Sequence, residues 1–224
     1  MNTFEPIDLT YMNKDHSFAD RVIAFNRSLA YSGKLPAGFR VMNPYLDNPE
    51  TPEVMEQFYR KYYNDRYDRK FIIGINPSRK GGGVTGIPFT DTKRLEQVCG
   101  IRMHSAVTHE PSSVFIYDLI AEYGGPEVFY REFYIHSPFP LAIVKQAVNG
   151  QWLNANYYDD PALFACVKDF MIDSLKQHIR LGLDTSRVFV LGKKNADFIR
   201  KIDREAGLFG QIEVLEHPDR KSVV

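Results

Sequence analysis

The sequence predicts an α/β fold of three layers, with helices on both faces of a central, mostly parallel sheet. Short apolar runs rich in β-branched and aromatic residues alternate with longer helical patterns from residue 71 onward. This alternation is typical of parallel strands joined by helical crossovers. Polar segments follow the ends of several runs, and in such sheets ligands bind beyond the carboxyl ends of the strands. We therefore expect a site at one edge of the sheet.

Length and composition are those of a globular protein. The 224 residues, 44% of them hydrophobic, can bury a full core. We expect a single domain over residues 1–224, in which a helical extension (1–70) packs on a core (71–220). No apolar run is long enough to cross a bilayer, and the first residues lack a basic-then-apolar signal pattern. We expect a cytoplasmic protein with no membrane partner.

Cysteine and histidine spacing gives no sign of a metal site. Cys99 and Cys166 are not paired for metal binding, and His104 and His109 lie five residues apart, off the i, i+4 face of a helix. We expect no metal and no other cofactor.

Charge is balanced, with 28 basic and 28 acidic residues. DNA-binding proteins usually have a basic excess, so this balance counts mildly against a nucleic-acid partner. Three basic pairs lie near predicted loop positions and are either local DNA contacts or solvated surface charge: Arg79-Lys80, Lys193-Lys194 and Arg220-Lys221.

Before residue 71, two helices are predicted on either side of a loop. Residues 17–30 have apolar residues at helical spacing, and a loop with glycine and proline spans residues 31–48. The second helix is predicted to have Thr51 as its N-cap and Pro52 at its first position, and to run to about Asn64. Its tyrosines, mixed with basic residues, suit either a nucleic-acid stacking strip or, more simply, half-buried packing.

After residue 71, each strand is predicted from a short apolar run and each helix from an amphipathic pattern. Asp91 and Asp118, next to such elements, are minor candidates for an assisting carboxylate, and a turn or cap is the simpler interpretation of Asp118. Strands are predicted at 71–74, 113–119, 128–136, 187–191 and 212–215, helices at 92–99, 161–181 and 192–204, and a polar loop at 145–159.

The segment FIIGINPSRKGGGVTGIPFTD, residues 71–91, is the feature around which the others are arranged. Its glycines let a backbone approach a ligand closely. They fit the dinucleotide pattern G-x-G-x-x-G, but the pattern begins seven residues after Gly74 and runs into Pro88 instead of opening a helix. The phosphate-loop pattern fails because Lys80 precedes the glycines. A nucleotide-cofactor enzyme is therefore a minor alternative.

Three segments resemble the single-strand-selective monofunctional uracil-DNA glycosylases. The family's first motif, GMNPGPFGMAQTGVPFG, aligns without a gap, although Ser78 and Arg79-Lys80 replace a glycine and Pro-Phe. The matched positions are Gly74, Asn76, Pro77, Gly81, Thr85, Gly86, Pro88 and Phe89. IHSPFPL (135–141) is similar to the family's VHNYCPL, with Ser137 at the base-reading asparagine. His217-Pro218 resembles the start of HPSPRNP, and the remainder departs from it.

The resemblance implies a DNA-repair glycosylase with a four-stranded sheet. It would hydrolyse the N-glycosidic bond of uracil, or of a related deaminated or damaged base, in DNA, and we expect it to act as a monomer. The implied catalytic residues are Asn76, which holds the attacking water, and His217, which stabilises the departing base. The implied base-binding residues are Gly74, Ile75, Phe89 and Ser137, and the implied DNA-binding residues are Arg79, Lys80, Gly81, Gly82, Lys193 and Arg220.

The runner-up interpretation is a glycosylase-like protein that binds a nucleobase or nucleic acid with weak or no turnover. It is favoured by the departure after Pro218 and by Ser137. An amide offers a donor and an acceptor to a base edge, whereas a hydroxyl is short and rotates to either role. We therefore expect weaker or broader base discrimination than in the family.

Overall fold

A computed structural model describes residues 16–217; Pro218 and Arg220 lie outside this range. The helices are α1 (Phe18–Ser28), α2 (Pro44–Asp47), α3 (Glu50–Tyr63), α4 (Gly82–Thr85), α5 (Thr92–Gln97), α6 (Pro111–Glu122), α7 (Pro126–Glu132), α8 (Pro161–Arg180) and α9 (Lys193–Ala206). The strands are β1 (Phe39–Met42), β2 (Arg69–Ile73), β3 (Phe133–His136), β4 (Ala142–Gln146), β5 (Trp152–Ala155), β6 (Leu183–Leu191) and β7 (Ile212–Leu215).

The main sheet has four parallel strands in the order β3-β2-β6-β7. Ile73 is paired with His136 on one side and with Val190 on the other, so that β2 and β3 end together. Helices α7, α8 and α9 pack against these strands. The predicted α/β class and four-stranded parallel sheet are confirmed, and the segments after β2, β3 and β7 leave the sheet at the same edge.

A second sheet, which the sequence analysis missed, is antiparallel with the order β1-β4-β5. Residues 31–48, predicted as loop, contain β1 and α2, and the predicted loop 145–159 contains the end of β4 and all of β5. These strands have four or five residues, too few for a clear alternating pattern. Phe39 also pairs with Lys145, far along the chain, so local sequence carries no sign of the sheet.

Two strand predictions between residues 113 and 136 are wrong. Residues 113–119 lie in helix α6, and only the last four residues of the 128–136 prediction form a strand, since α7 precedes them. In α6 the buried residues Ser113, Ile116, Tyr117 and Ile120 follow helical spacing. Pro111 occupies a first-turn position. Burial of this face overrides the strand preference of the β-branched and aromatic side chains.

Helix α3 begins earlier than predicted, and its tyrosines are buried. Pro49 is at the N-cap position, and Thr51 lies inside the helix, where its hydroxyl donates to Val84 O at 2.8 Å. Tyr59, Tyr62 and Tyr63 are buried. The packing interpretation is therefore confirmed, and the idea of a stacking strip formed by these three rings is wrong.

Candidate active site

A cavity of about 330 Å³ opens where β2, β3 and β7 end. Its walls come from the motif loop (residues 75–89), the start of α6, the end of β5 and the residues that follow β3 and β7. Seven of the residues that the sequence analysis selected line it: Ile75, Asn76, Lys80, Gly82, Phe89, Ser137 and His217. Three distant segments of the chain thus meet at one edge of the sheet.

The other selected residues lie around this cavity or outside the described range. Gly74 lies beneath the Phe89 ring, Gly81 faces Glu110, and Arg79 N donates to Asn154 Oδ1 at 3.0 Å. Lys193 borders an adjoining groove that shares His217 with the cavity. Arg220 is beyond the described residues. Asp91 and Asp118 do not line the cavity.

The Asn76 side chain is fixed at both of its polar atoms. Its Nδ2 donates to Ala155 O at 2.9 Å, and its Oδ1 accepts from Tyr157 N at 2.9 Å. A further contact from Nδ2 to Pro77 O is long, at 3.4 Å. The second lone pair of Oδ1 remains available to a ligand. An amide held in this way can orient a water molecule, but it cannot take up a proton at neutral pH.

The Phe89 ring enters the cavity from a backbone in an uncommon conformation. Phe89 has a φ of 52°, the one positive φ of a non-glycine residue within residues 16–217. Thr85 stabilises this turn, since its hydroxyl donates to Thr90 O at 2.6 Å and accepts from Ile87 N at 3.2 Å. A Cβ at Gly74 would lie 2.6 Å from the Phe89 ring. Glycine at position 74 therefore makes room for the ring beside the end of β2.

Ser137 and its neighbour His136 turn to opposite sides of the sheet end. The Ser137 hydroxyl donates to Ile75 O, which links the ends of β3 and β2. The hydroxyl hydrogen is used by this bond, so the Ser137 oxygen can only accept a further hydrogen bond. His136 is 1% exposed and lies outside the cavity, with its Nδ1 accepting from Ser137 N at 2.9 Å. Burial lowers the pKa of His136 to about 3, so this ring is neutral at physiological pH.

His217 is half-buried and belongs to both the cavity and the adjoining groove. Its ring packs on Gly192, where a Cβ would lie 3.1 Å from the imidazole Cδ2. Gly192 also has a φ of 88°, which favours glycine. The groove beyond His217 is bordered by Lys193, Lys194 and Arg200 of α9, and also by the carboxylates of Asp197 and Glu216.

Sequence reasoning missed the wall formed by segment 109–112. His109 and Glu110 line the cavity, and the buried Asp91 fixes this segment, because its Oδ2 accepts from Glu110 N at 2.8 Å. Asp91 also caps α5 by accepting from Arg94 N at 2.8 Å, so it has a structural role and is not a base. Asp118 is exposed on α6. Proline is common in the first turn of a helix, so Pro111 could have indicated a helix start and placed Glu110 at the N-terminus of that helix.

Two further features bear on function. Within residues 16–217, no group of three or more His, Cys, Asp or Glu side chains is arranged to hold a metal ion. Across the same residues, no helix is both long and apolar enough to pass through a membrane.

Comparison with known proteins identifies a family and a similar solved structure. The profile of the uracil DNA glycosylase superfamily matches residues 60–223. The crystal structure of wild-type SMUG2 from Pedobacter heparinus is similar, with 48% sequence identity, a TM-score of 0.87, and coverage of 90% of this chain and 87% of that chain. No curated protein sequence matches.

Proposed function

The chain belongs to the uracil DNA glycosylase superfamily, and from this membership we propose that its cavity receives a base flipped out of DNA and releases it by hydrolysis. Membership makes the chain a hydrolase that acts on the N-glycosidic bond of uracil or a related base in DNA. The observation that carries the residue-level proposal is the meeting of Asn76, Phe89, Ser137 and His217 in one cavity. These residues all come from one chain, so a monomer suffices.

Base binding falls to Phe89 and Ser137. An enzyme must take the target base out of the stack before it reaches the sugar carbon. The extruded base stacks on the Phe89 ring, an interaction of about 1–3 kcal/mol that does not depend on base identity. Ser137 reads the edge of the base. Because its hydrogen is given to Ile75 O, Ser137 accepts a hydrogen bond from an imide N–H, a group that uracil presents. Gly74 and Ile75 complete the floor.

His217 and Asn76 act on the two products of bond cleavage. The sugar carbon becomes positive and the base becomes an anion as the bond breaks. His217 donates a hydrogen bond to the base oxygen that gains negative charge, and a fixed donor of this kind is worth about 3–4 kcal/mol. The Oδ1 lone pair of Asn76 that Tyr157 N does not use holds the water that attacks the sugar carbon.

We assign the contacts with the DNA backbone to basic residues around the cavity and the adjoining groove. Lys80 lines the cavity mouth, and Lys193, Lys194 and Arg200 border the groove that continues from His217. Arg79, the backbones of Gly81 and Gly82, and Arg220 are assigned to the same phosphate path. Such contacts add affinity without reading sequence.

The test is cleavage of oligonucleotides that carry one uracil, single-stranded and double-stranded, by the wild type and by Asn76→Ala and His217→Ala. We expect both variants to lose more than about tenfold in single-turnover rate, about 1.4 kcal/mol in barrier. Exposed residues elsewhere provide the controls His104→Ala and Asn149→Ala, which should cleave like the wild type. A wild type that cleaves neither substrate would refute the activity, and an unchanged rate in either cavity variant would refute that residue's role.

A further inference from the structure

The mechanism above leaves one charged residue of the cavity without a task. Glu110 lines the same wall as the motif loop, and the proposal for Asn76 lacks a group able to take a proton from water. We propose that Glu110 is a further catalytic residue, whose carboxylate faces the positive sugar and accepts the proton of the attacking water. This inference rests on the glycosylase activity proposed above.

The Glu110 side chain does not cap its own helix. Glu110 is the N-cap residue of α6, and its carbonyl accepts from Ser113 N at 3.1 Å. Its side chain makes no capping hydrogen bond, although a residue at this position commonly caps with its side chain. The Glu110 backbone is fixed by the bond from its N–H to Asp91 Oδ2 at 2.8 Å. The carboxylate is therefore carried on an anchored backbone at the cavity wall.

Gly81 of the motif loop makes room for this carboxylate. A Cβ at position 81 would lie 1.8 Å from Glu110 Oε2 and 2.8 Å from its Cδ. No two such atoms can approach so closely, so the carboxylate occupies space that any other residue at position 81 would need. The loop that begins with Asn76 and the segment that carries Glu110 thus fit together at this point.

The chemistry asks for a base that Asn76 cannot supply. The C1′–N bond breaks and its electron pair leaves with the base, so C1′ becomes an oxocarbenium carbon. The oxygen of water then bonds to C1′, and the proton lost by that water passes to the Glu110 carboxylate. Glu110 afterwards returns this proton to the base anion or to solvent. The sum is nucleotide plus water giving an abasic sugar and a free base.

The first test compares Glu110→Gln, which keeps the shape of the side chain, with Asp118→Asn, which alters an exposed carboxylate on the same helix. We expect Glu110→Gln to lower the single-turnover rate on a uracil oligonucleotide by about 10²–10⁴-fold, the usual contribution of a general base. Asp118→Asn should retain the wild-type rate. If the wild type is active and Glu110→Gln cleaves within twofold of it, the role of Glu110 is overturned while the glycosylase activity stands. An inactive wild type instead defeats the activity itself.

Chemical rescue separates catalysis from structure. In Glu110→Ala the missing carboxylate leaves space that formate can enter, so added formate should raise the rate at least about tenfold if base catalysis is what was lost. Formate should not raise the rate of Asn76→Ala. Loss of activity in Glu110→Gln without formate rescue of Glu110→Ala would overturn the role as base.

The second test uses the contact with Gly81. In Gly81→Ala the new methyl group displaces the Glu110 carboxylate, so the rate should fall in the wild-type background. In the Glu110→Ala background the same change should have little further effect, since groups that act as a unit are not additive. Losses that multiply in the double variant would show that Gly81 and Glu110 act separately, and would overturn the proposed coupling.

Discussion

Buried polar side chains behave differently in two regions that meet at His136 and Ser137. In the first region, the cavity wall, Asn76 and Ser137 each bond to backbone groups of other segments. The second region is a core formed by His136 and the α8 residues Ser174, Gln177 and His178, all buried. In this histidine core, four polar atoms have no hydrogen-bond partner among residues 16–217: His136 Nε2, Ser174 Oγ, Gln177 Oε1 and His178 Nε2.

The difference shows what each region's polarity does. Hydrogen bonds at the cavity wall hold side chains in one orientation, which a site must have before its ligand arrives. In the histidine core, aromatic rings surround the imidazoles: the ring centroids of Phe25 and His178 are 4.4 Å apart, and those of His136 and His178 are 4.5 Å apart. Burial there lowers the pKa of both histidines. The hydrogen bonds of the wall therefore hold its side chains in place, whereas the contribution of the histidine core to the free energy of unfolding depends on pH.

The largest effect on stability is expected from Asn76→Ala in the cavity wall. The change leaves the buried Tyr157 N–H and Ala155 C=O without their partner, at about 1–3 kcal/mol for each group. Urea denaturation at neutral pH would measure the loss in free energy of unfolding. Asn149→Ala, in an exposed turn, should stay within about 0.5 kcal/mol of the wild type. If Asn76→Ala and Asn149→Ala had the same free energy of unfolding, the hydrogen bonds of the cavity wall would not contribute to stability. The proposed difference between the two regions would then be wrong.

We expect acid to lower the free energy of unfolding through the two buried histidines of the histidine core. In the unfolded chain a histidine has a pKa of about 6.5, whereas burial lowers the pKa of His136 to about 3 and that of His178 well below its usual value. As the pH falls below about 6.5, the unfolded chain therefore binds protons at these two positions that the native protein does not. The contribution of these histidines to the free energy of unfolding is thus complete above about pH 7 and falls as the pH drops, by about 2 kcal/mol at pH 5 for His136.

His178→Phe tests this account, since phenylalanine fits an aromatic site and cannot be protonated. We expect the loss of stability between pH 7 and pH 5 to be smaller in this variant than in the wild type, because one proton fewer is bound on unfolding. Comparing the change with pH removes any constant effect of the lost contact with the Tyr134 hydroxyl. His104→Gln, at an exposed position, should keep the wild-type pH dependence. An identical pH dependence in His178→Phe would contradict the assigned cause.

The two regions also differ in how far the sequence predicted them. The position of Asn76 after a buried strand, and of His217 after the last strand, could be recognised because strand ends and motif order are linear features. The partners of Asn76 could not, since they lie at the end of β5 and just after it, about 80 positions away, and the four residues of β5 give no pattern. Glu110 was missed because strand-forming residues in α6 concealed a helix start. The burial of His136 depends on packing by α1 and α8, which no local pattern reports.

The smallest effect comes from a matched pair of serines, one in each region. Ser137 and Ser174 are 1% and 3% exposed. Only the Ser137 hydroxyl has a hydrogen-bond partner within residues 16–217, the Ile75 carbonyl. Ser137→Ala should therefore lower the free energy of unfolding by about 1 kcal/mol. Ser174→Ala should leave it equal or raise it by a few tenths, because it removes an unpartnered hydroxyl and places the better helix former in α8.

Measuring the cleavage activity of the same two serine variants separates a role in catalysis from a role in stability. Ser137→Ala removes the acceptor assigned to the base edge, so its rate on a uracil oligonucleotide should fall about tenfold, whereas Ser174→Ala should cleave at the wild-type rate. Thermal denaturation and single-turnover assays on both variants supply the two numbers. If both variants lost the same free energy of unfolding, burial and not hydrogen bonding would determine the effect of each serine. The wall and the histidine core would then not differ in how their polar groups affect stability. A loss of stability in Ser137→Ala with full activity would leave Ser137 as a link between β2 and β3 and assign base reading to another cavity residue.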